Sequence, residues 1–237
     1  MFGTLVFAPV AALTWRLGSG AVPYVLGSSA LELLYLALLA TGYSIAAMSF
    51  IYPIARGSAP VLVLIAGVVV VGASVSVLGA AGVVVVALGI VLVRGFGASG
   101  RPRDLAVALS VGAWIAGYTL VDKRGITHAA PITYLELVFG LTAVGYVLFV
   151  LRVRGPTALR AAVNGRTLLA GVGFFAAYAL TLAALRLAPA ASLAAVRESS
   201  VVMATAFLAF SGREKVGRER VVGAVAVVVG IALISLG

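Results

Sequence analysis

The chain has 237 residues, of which 63% are hydrophobic and 10% charged, with a mean hydropathy of +1.20. Soluble domains average about half apolar and a quarter charged residues, so this composition excludes a soluble protein and indicates a polytopic membrane protein. A net charge of +10 would favour nucleic-acid binding in a soluble chain. Here the Lys and Arg residues cluster between apolar segments, which is typical of topology signals, and no nucleic-acid partner is expected.

Nine apolar segments predict membrane helices, the first of them short. They are 3–17, 30–50, 53–76, 78–94, 104–122, 131–151, 167–186, 188–210 and 219–236. A bilayer core needs roughly 20 apolar residues in a helix, and backbone groups cannot stay unpaired in lipid. Runs of valine favour strands in water, but segment length and the lack of alternation favour helices. The predicted fold class is therefore an all-α polytopic membrane protein.

Positive charges between these segments predict the orientation. Eleven lie in the loops on one side: Arg94, Arg101, Arg103, Arg152, Arg154, Arg160, Arg166, Arg213, Lys215, Arg218 and Arg220. Four lie on the other side: Arg16, Lys123, Arg124 and Arg186. The positive-inside rule places the eleven in the cytoplasm, with Met1 inside and Gly237 outside. We expect a multi-pass protein of the plasma membrane.

A sequence repeat divides the chain into halves, 1–95 and 96–237. Four residues recur at a constant offset of 141: Arg56, Ser58, Gly82 and Gly89 match Arg197, Ser199, Gly223 and Gly230. One half then holds four helices and the other five, and a partner for the fifth span would precede Met1. A five-helix unit followed by its copy places the copy upside down, which is a common plan of secondary transporters. The glycines, seven residues apart, predict close helix packing.

Three motifs resemble the EamA-type branch of the drug/metabolite transporter superfamily. They are YPIARGSAP at 52–60, GYTLVDKRG at 117–125 and VRESSVVMATAFLAFSGREKVGRERVVGAVAVVVGIAL at 196–233. Glu214 matches the glutamate of the family's basic hairpin, and Ala73 stands at the equivalent position of the first half. The resemblance implies ten helices in an inverted repeat around a central cavity, with export of small metabolites, commonly amino-acid-like or drug-like. The sequence lacks the family's first helix. We expect either that the true start codon lies further upstream or that the protein is a truncated member of the family.

Two ionisable residues lie within the eighth predicted span. Arg197 follows Pro189 by eight residues, about 12 Å along a helix, so both it and Glu198 are candidates for function. Arg197 could hold a substrate carboxylate or serve as a structural arginine. Glu198 could carry a proton or pair with another helix. Arg56 is the repeat mate of Arg197 and lies one turn into its predicted helix. It could be only an interfacial anchor that snorkels to the headgroups, or a functional residue like Arg197.

Trp114, Tyr118 and Asp122 are spaced i, i+4 and i+8, so they share one face of the fifth span. An aromatic stripe facing a cavity would bind an apolar or aromatic substrate, and helix packing is the alternative for either ring. Asp122, at the end of the span, is expected to be solvated.

Tyr43 and Tyr178 are related by the repeat, and Tyr178 and Thr181 share a helix face. Their hydroxyls could bind polar substrate groups or form helix–helix hydrogen bonds of about 1 kcal/mol. Glu32 and Glu136 are expected near the membrane interface.

The sequence contains no phosphate-binding GxxxxGK[ST] loop, so ATP-driven pumping by this chain is not expected. It has one histidine, His128, and no cysteine, so we expect no metal site and no other cofactor. The predicted function is secondary transport, most simply export of small metabolites by alternating access, and no enzyme activity is expected. The partners are a small-molecule substrate, the lipid bilayer and a coupling proton, with the oligomeric state left open. The alternative is a truncated, non-transporting scaffold derived from the same family.

Overall fold

A computed structural model describes residues 2–45, 48–94, 101–200, 203 and 217–236. Glu214 and most of the second half of the eighth predicted span lie outside these residues. The described part of the chain forms nine α-helices, and its only β-structure is a single bridge between Leu17 and Ala129. The helices are α1 Phe2–Leu13, α2 Val22–Ile45, α3 Met48–Val71, α4 Val77–Arg94, α5 Pro102–Gly125, α6 Pro131–Ala162, α7 Gly165–Leu185, α8 Ala190–Arg197 and α9 Arg218–Leu236. The predicted all-α fold is confirmed.

Four described segments are long and apolar enough to cross a bilayer: Ser19–Ile45, Pro102–Gly125, Pro131–Ala162 and Gly165–Leu185. Four shorter helical stretches are also apolar: Phe2–Leu13, Ile54–Val70, Val77–Leu92 and Val221–Ile234. These eight segments overlap eight of the nine predicted spans. The protein is therefore an all-α helical membrane protein.

Several helix ends differ from the predicted ones for local reasons. The second helix begins at Val22 rather than near residue 30, because Pro23 fits the first turn of a helix at no cost in hydrogen bonding. The seventh begins at Gly165, where Asn164 accepts hydrogen bonds from the backbone of Arg166 and Thr167, both at 3.0 Å. Such a cap satisfies N–H groups that otherwise lack a partner.

The long helix α6 is broken near its end. Gly155 has φ 75° and ψ 175°, outside the helical region, and Pro156 follows it. A residue before proline is sterically pushed away from helical angles, and glycine adopts positive φ without a Cβ penalty. The part before Gly155 corresponds to the predicted span 131–151, and the remainder is a separate short turn of helix.

The eighth predicted span is not one continuous helix. Helix α8 ends at Arg197, and Glu198 has φ −75° and ψ −3°. The Glu198 N–H donates to the Ala195 carbonyl, three residues back, at 3.0 Å, which tightens the last turn. Residues 199, 200 and 203 are again helical. The break therefore coincides with the charged pair that the sequence singles out.

The chain forms two compact units. Unit 1 contains Met1–Leu34 and Val121–Leu187, and unit 2 contains Tyr35–Leu120 and Ala188–Gly237. Each unit combines residues from both halves of the predicted repeat, whose boundaries remain a prediction. In unit 1, the ring of Phe7 stacks on that of Phe175 with centroids 4.7 Å apart, which joins α1 to α7.

Glycines bring α4 and α9 into close contact in unit 2. A Cβ at Gly82 would lie 2.7 Å from the Gly230 carbonyl oxygen, and one at Gly89 would lie 2.8 Å from that of Gly223. The pairing of an early residue with a late one means that the helices run antiparallel. The predicted packing role of these glycines is confirmed.

Candidate functional site

A partly buried ion pair joins α3 to the end of α8. The guanidinium Nη1 of Arg56 lies 3.3 Å from Oε1 of Glu198, and their side chains are 24% and 4% exposed. Helix α3 begins at Met48, so Arg56 lies eight residues, about 12 Å, along it. The helix starts earlier than the sequence indicates, and the Arg56 guanidinium pairs with Glu198 instead of extending toward lipid headgroups as an interfacial anchor would.

Tyrosine rings surround the Arg56 guanidinium. The ring of Tyr52, one turn earlier on α3, has its centroid 5.3 Å from the guanidinium carbon, a distance typical of cation–π contact. Tyr118 and Tyr35 are close enough to interact electrostatically with Arg56. Their own rings meet edge to face, 5.8 Å apart. The ion pair is thus bordered by aromatic faces and hydroxyls from α2, α3 and α5.

Only one oxygen of the Glu198 carboxyl group is used by the ion pair. Oε2 is buried and has no hydrogen-bond partner among the described residues. An unpartnered buried oxygen loses its hydration without compensation, which costs about 1–3 kcal/mol or more for a charged group. The arrangement can therefore accept a hydrogen bond from a bound donor, or hold a proton on Oε2.

The sequence repeat does not relate Arg56 and Glu198 to each other, and it does not generate a second copy of their ion pair. The offset of 141 carries Arg56 to Arg197 and Gly57 to Glu198. Arg197 is half-buried and interacts electrostatically with its neighbour Glu198. The described ion pair thus contains one residue from each half, and Gly57 carries no carboxylate with which the first half could repeat it.

A cavity of about 710 Å³ runs along α8 in unit 2. Its lining comes from the α3–α4 connection, from α8 and from the end of α9: Ser74, Val75, Ser76, Gly79, Ala188, Pro189, Ser192, Leu193, Val196 and Ile234. In α8, Ser192 and Leu193 lie four and three residues before Val196, so each shares a helix face with it. Val196, at the end of this lining, directly precedes Arg197 and Glu198 in the chain, so the cavity ends beside the charged residues at the end of α8.

A second buried carboxylate lies in unit 1. Asp122 is 1% exposed and accepts hydrogen bonds from Ser28 at 2.5 Å, Tyr134 at 3.0 Å and Tyr178 at 2.7 Å. The expectation that Asp122 is solvated is wrong. Helix α5 continues to Gly125, where a Cβ would collide with the Tyr134 ring, so glycine there admits the ring that reaches Asp122.

The remaining predicted site residues occupy separate positions. The Tyr178 hydroxyl binds Asp122, and the Thr181 hydroxyl donates to the Ala177 carbonyl of its own helix at 2.9 Å. Tyr43 is half-buried against the core of Ile51, Ile54 and Ala108 in unit 2. Trp114 is half-buried one turn before Tyr118, on the same face of α5.

Two further acidic residues, Glu32 and Glu136, are more buried in the protein than the sequence indicates. Glu32 is 7% exposed, because α2 begins ten residues before it rather than beside it. Glu136 is half-buried, and its Oε2 atom has no hydrogen-bond partner among the described residues. Their position relative to the membrane interface stays a prediction.

The EamA-like transporter family matches residues 104–236, more than half of the chain. The protein belongs to the EamA-like transporter family. It is thus a membrane transporter of the drug/metabolite type, a class that moves small molecules. A solved structure titled "Crystal structure of protein" is similar over 99% of this chain and 85% of its own, with 16% identity and a TM-score of 0.76. That likeness concerns the fold alone. Comparison with curated proteins gives no match.

Proposed function

We propose that this EamA-like protein is a secondary transporter that exports small metabolites across the plasma membrane by alternating access. The observation that carries the proposal is the partly buried Arg56–Glu198 pair, with one carboxylate oxygen left without a partner among the described residues. Ionisable groups at membrane depth are costly and mark substrate or ion pathways. A purely structural pair would be expected to use both oxygens.

The chemistry of the pair favours substrates that carry charge together with an apolar part. A substrate carboxylate would bind Arg56 or Arg197 through paired N–H donors, and a substrate ammonium would bind Glu198. The Tyr52 ring, which already lies within cation–π distance of Arg56, offers a face that suits an aromatic or cationic body. Amino-acid-like and drug-like molecules both meet this description.

The glycine contacts support an inverted repeat of 1–95 and 96–237. A two-fold rotation that exchanges the halves carries Gly82 to Gly223 and Gly89 to Gly230. It therefore turns the Gly82–Gly230 contact into the Gly89–Gly223 contact, and both contacts occur. An antiparallel pair of equivalent helices is the arrangement that inverted repeats generate, and alternating access would rock the halves about it.

In this proposal, transport is coupled to protons, and Glu198 carries the coupling proton. A proton on Oε2 would neutralise the carboxyl group and weaken its attraction for Arg56. The pair would then open for substrate, and loss of the proton on the other side would reset it. A carrier of this kind needs a buried acid with an unoccupied oxygen, which Glu198 provides.

Flux through proteoliposomes tests the transport proposal. A panel of labelled amino acids and cationic dyes is screened in both directions, with and without a pH gradient. Glu198→Gln and Arg56→Gln should each lower saturable flux about tenfold or more, because a charge-assisted hydrogen bond contributes about 1.5–3 kcal/mol. Arg103→Gln, an exposed arginine of the same charge, is the matched control.

Three outcomes are informative. Unchanged flux in Glu198→Gln, Arg56→Gln and Arg197→Ala would overturn the site. Indifference of flux to the pH gradient would remove proton coupling and leave the site intact. A wild-type protein that folds but moves no member of a broad panel would favour the non-transporting scaffold.

A further inference from the structure

The cations on the side predicted to face away from the cytoplasm are concentrated in one place. Arg16, Lys123, Arg124 and Arg186 all belong to unit 1. The positive-inside rule disfavours cations on this side. Arg16 and Arg186 lie in the loops that follow α1 and α7, and Lys123 and Arg124 lie in the last turn of α5. A cluster here requires a local reason.

Two of the four cations help to hold the loops together. Arg186 donates to the carbonyl oxygens of Ile126 at 3.0 Å and Ala129 at 2.5 Å. Lys123 donates to the Leu185 carbonyl at the end of α7. The two hydrogen bonds of Arg186 hold its guanidinium group in one position, so its positive charge has a fixed location.

The backbone of the two neighbouring loops is also fixed. Gly18 N–H donates to the His128 carbonyl at 2.8 Å, and Ala130 N–H donates to that of Arg16 at 2.9 Å. The His128 ring stacks on Tyr24, 5.5 Å away, and a Cβ at Gly20 would lie 2.9 Å from its Nδ1 atom. Glycine at position 20 therefore makes room for the histidine.

A cavity of about 720 Å³ lies between these loops. Its lining includes Arg16, Arg186 and His128, and none of the lining residues is acidic. Trp15, which also lines it, is 51% exposed, as expected of an aromatic residue at the level of lipid headgroups. Two arginines facing one preformed space make a site for an oxyanion, since guanidinium groups match phosphate and carboxylate oxygens in charge and geometry.

We propose that this cavity binds one oxyanion group, either the phosphodiester of an anionic phospholipid or a small free anion. Arg16 provides the exposed charge, Arg186 the fixed one, and Trp15 lies beside a bound headgroup. The lining residues all belong to unit 1 and include none of the residues proposed to bind substrate in unit 2, and binding of the oxyanion does not depend on any transport activity.

The test uses the full chain purified in a neutral detergent. Dioleoyl phosphatidylglycerol in mixed micelles and inorganic phosphate are titrated separately, with phosphatidylcholine as the neutral lipid. Bound lipid is counted by native mass spectrometry, and thermal unfolding reports binding of either anion. Wild-type protein should bind one equivalent of phosphatidylglycerol or of phosphate, and the arm that responds identifies the source.

Arg16→Gln should weaken that binding about tenfold or more, because it removes charge-assisted hydrogen bonds to the bound anion. Arg124→Gln removes the same charge from an exposed residue of the same unit that does not line the cavity, and it should leave binding unchanged. Leu17→Glu, which adds a negative charge to the lining, is the second variant and should abolish binding. Absence of binding to either anion, or equal losses in Arg16→Gln and Arg124→Gln, would overturn the proposal.

Discussion

The Arg56–Glu198 pair should behave as a single energetic unit when it is dismantled. Arg56→Met and Glu198→Leu each leave an uncompensated charge in a site where the partner is mostly buried. Two unit charges 3.3 Å apart attract by about 5 kcal/mol at an effective dielectric constant of 20. Removing one partner of a buried pair typically costs about 3–5 kcal/mol, and we expect each single variant to fall in that range.

The double variant Arg56→Met/Glu198→Leu should recover most of that loss. Apolar residues of similar volume replace buried ion pairs at little cost, and sometimes stabilise the fold by about 1–4 kcal/mol. The coupling energy from the double-mutant cycle should therefore be about 3 kcal/mol or more. In the proposed transporter, this stable double variant should nevertheless lose saturable flux, which separates folding from function.

Reversible denaturant unfolding in mixed micelles measures the four free energies of unfolding. Arg103→Met, at an exposed arginine, is the control and should change stability by less than about 0.5 kcal/mol. Single variants that each cost less than about 1 kcal/mol, or a double variant whose loss is the sum of the two, would refute the reasoning. Either result would mean that solvent screens the pair despite its burial.

Two further predictions concern stability. Tyr178→Phe should destabilise the protein by about 1–3 kcal/mol, because it removes a hydrogen-bond donor from buried Asp122. Thr181→Val should cost less than about 1 kcal/mol, because the Thr181 hydroxyl bonds only within its own helix. Equal losses of stability in thermal unfolding would contradict a stabilising role of the Tyr178–Asp122 bond. Gly230→Ala should destabilise by about 1–3 kcal/mol because its Cβ would lie 2.7 Å from the Gly82 carbonyl oxygen. Gly140→Ala, with open space around it, is the control and should stabilise by about 0.5–1 kcal/mol through helix propensity, so a stabilising Gly230→Ala would be inconsistent with close packing.

The sequence predicts the helices far better than the depth of individual residues along them. Apolar segment length identifies eight of the segments that the structure contains. The depth of a polar residue depends on where its helix begins, and polar or glycine-rich flanks conceal that point. Arg56 and Glu32 lie farther along their helices than the apolar pattern indicates, because α3 and α2 start five or more residues earlier than predicted.

The partners of polar residues are a different kind of problem. The spacing that places Asp122 on the face of Tyr118 is local and readable from the sequence. Its three hydroxyl donors come from α2, α6 and α7, at sequence separations from 12 to 94 residues. No pattern within one helix encodes such pairings, because they depend on how the helices pack. The same applies to the Arg56–Glu198 pair, separated by 142 residues.

The Arg56–Glu198 pair takes one residue from each proposed repeat, and exchange of the two repeats would not reproduce it. If the halves exchange conformations, Arg197 takes the place of Arg56 and meets Gly57, which has no carboxylate. A Cβ at Gly57 would lie 3.3 Å from the Ala87 carbonyl oxygen, a tight contact, and in the exchanged conformation Glu198 would take the place equivalent to Gly57. The two conformations therefore differ in energy, and moving a 1:99 population to 99:1 requires about 5.5 kcal/mol of differential binding. Substrate or proton binding at Glu198 is the available source of that difference, because it offsets the loss of Arg56 in the conformation that lacks the pair.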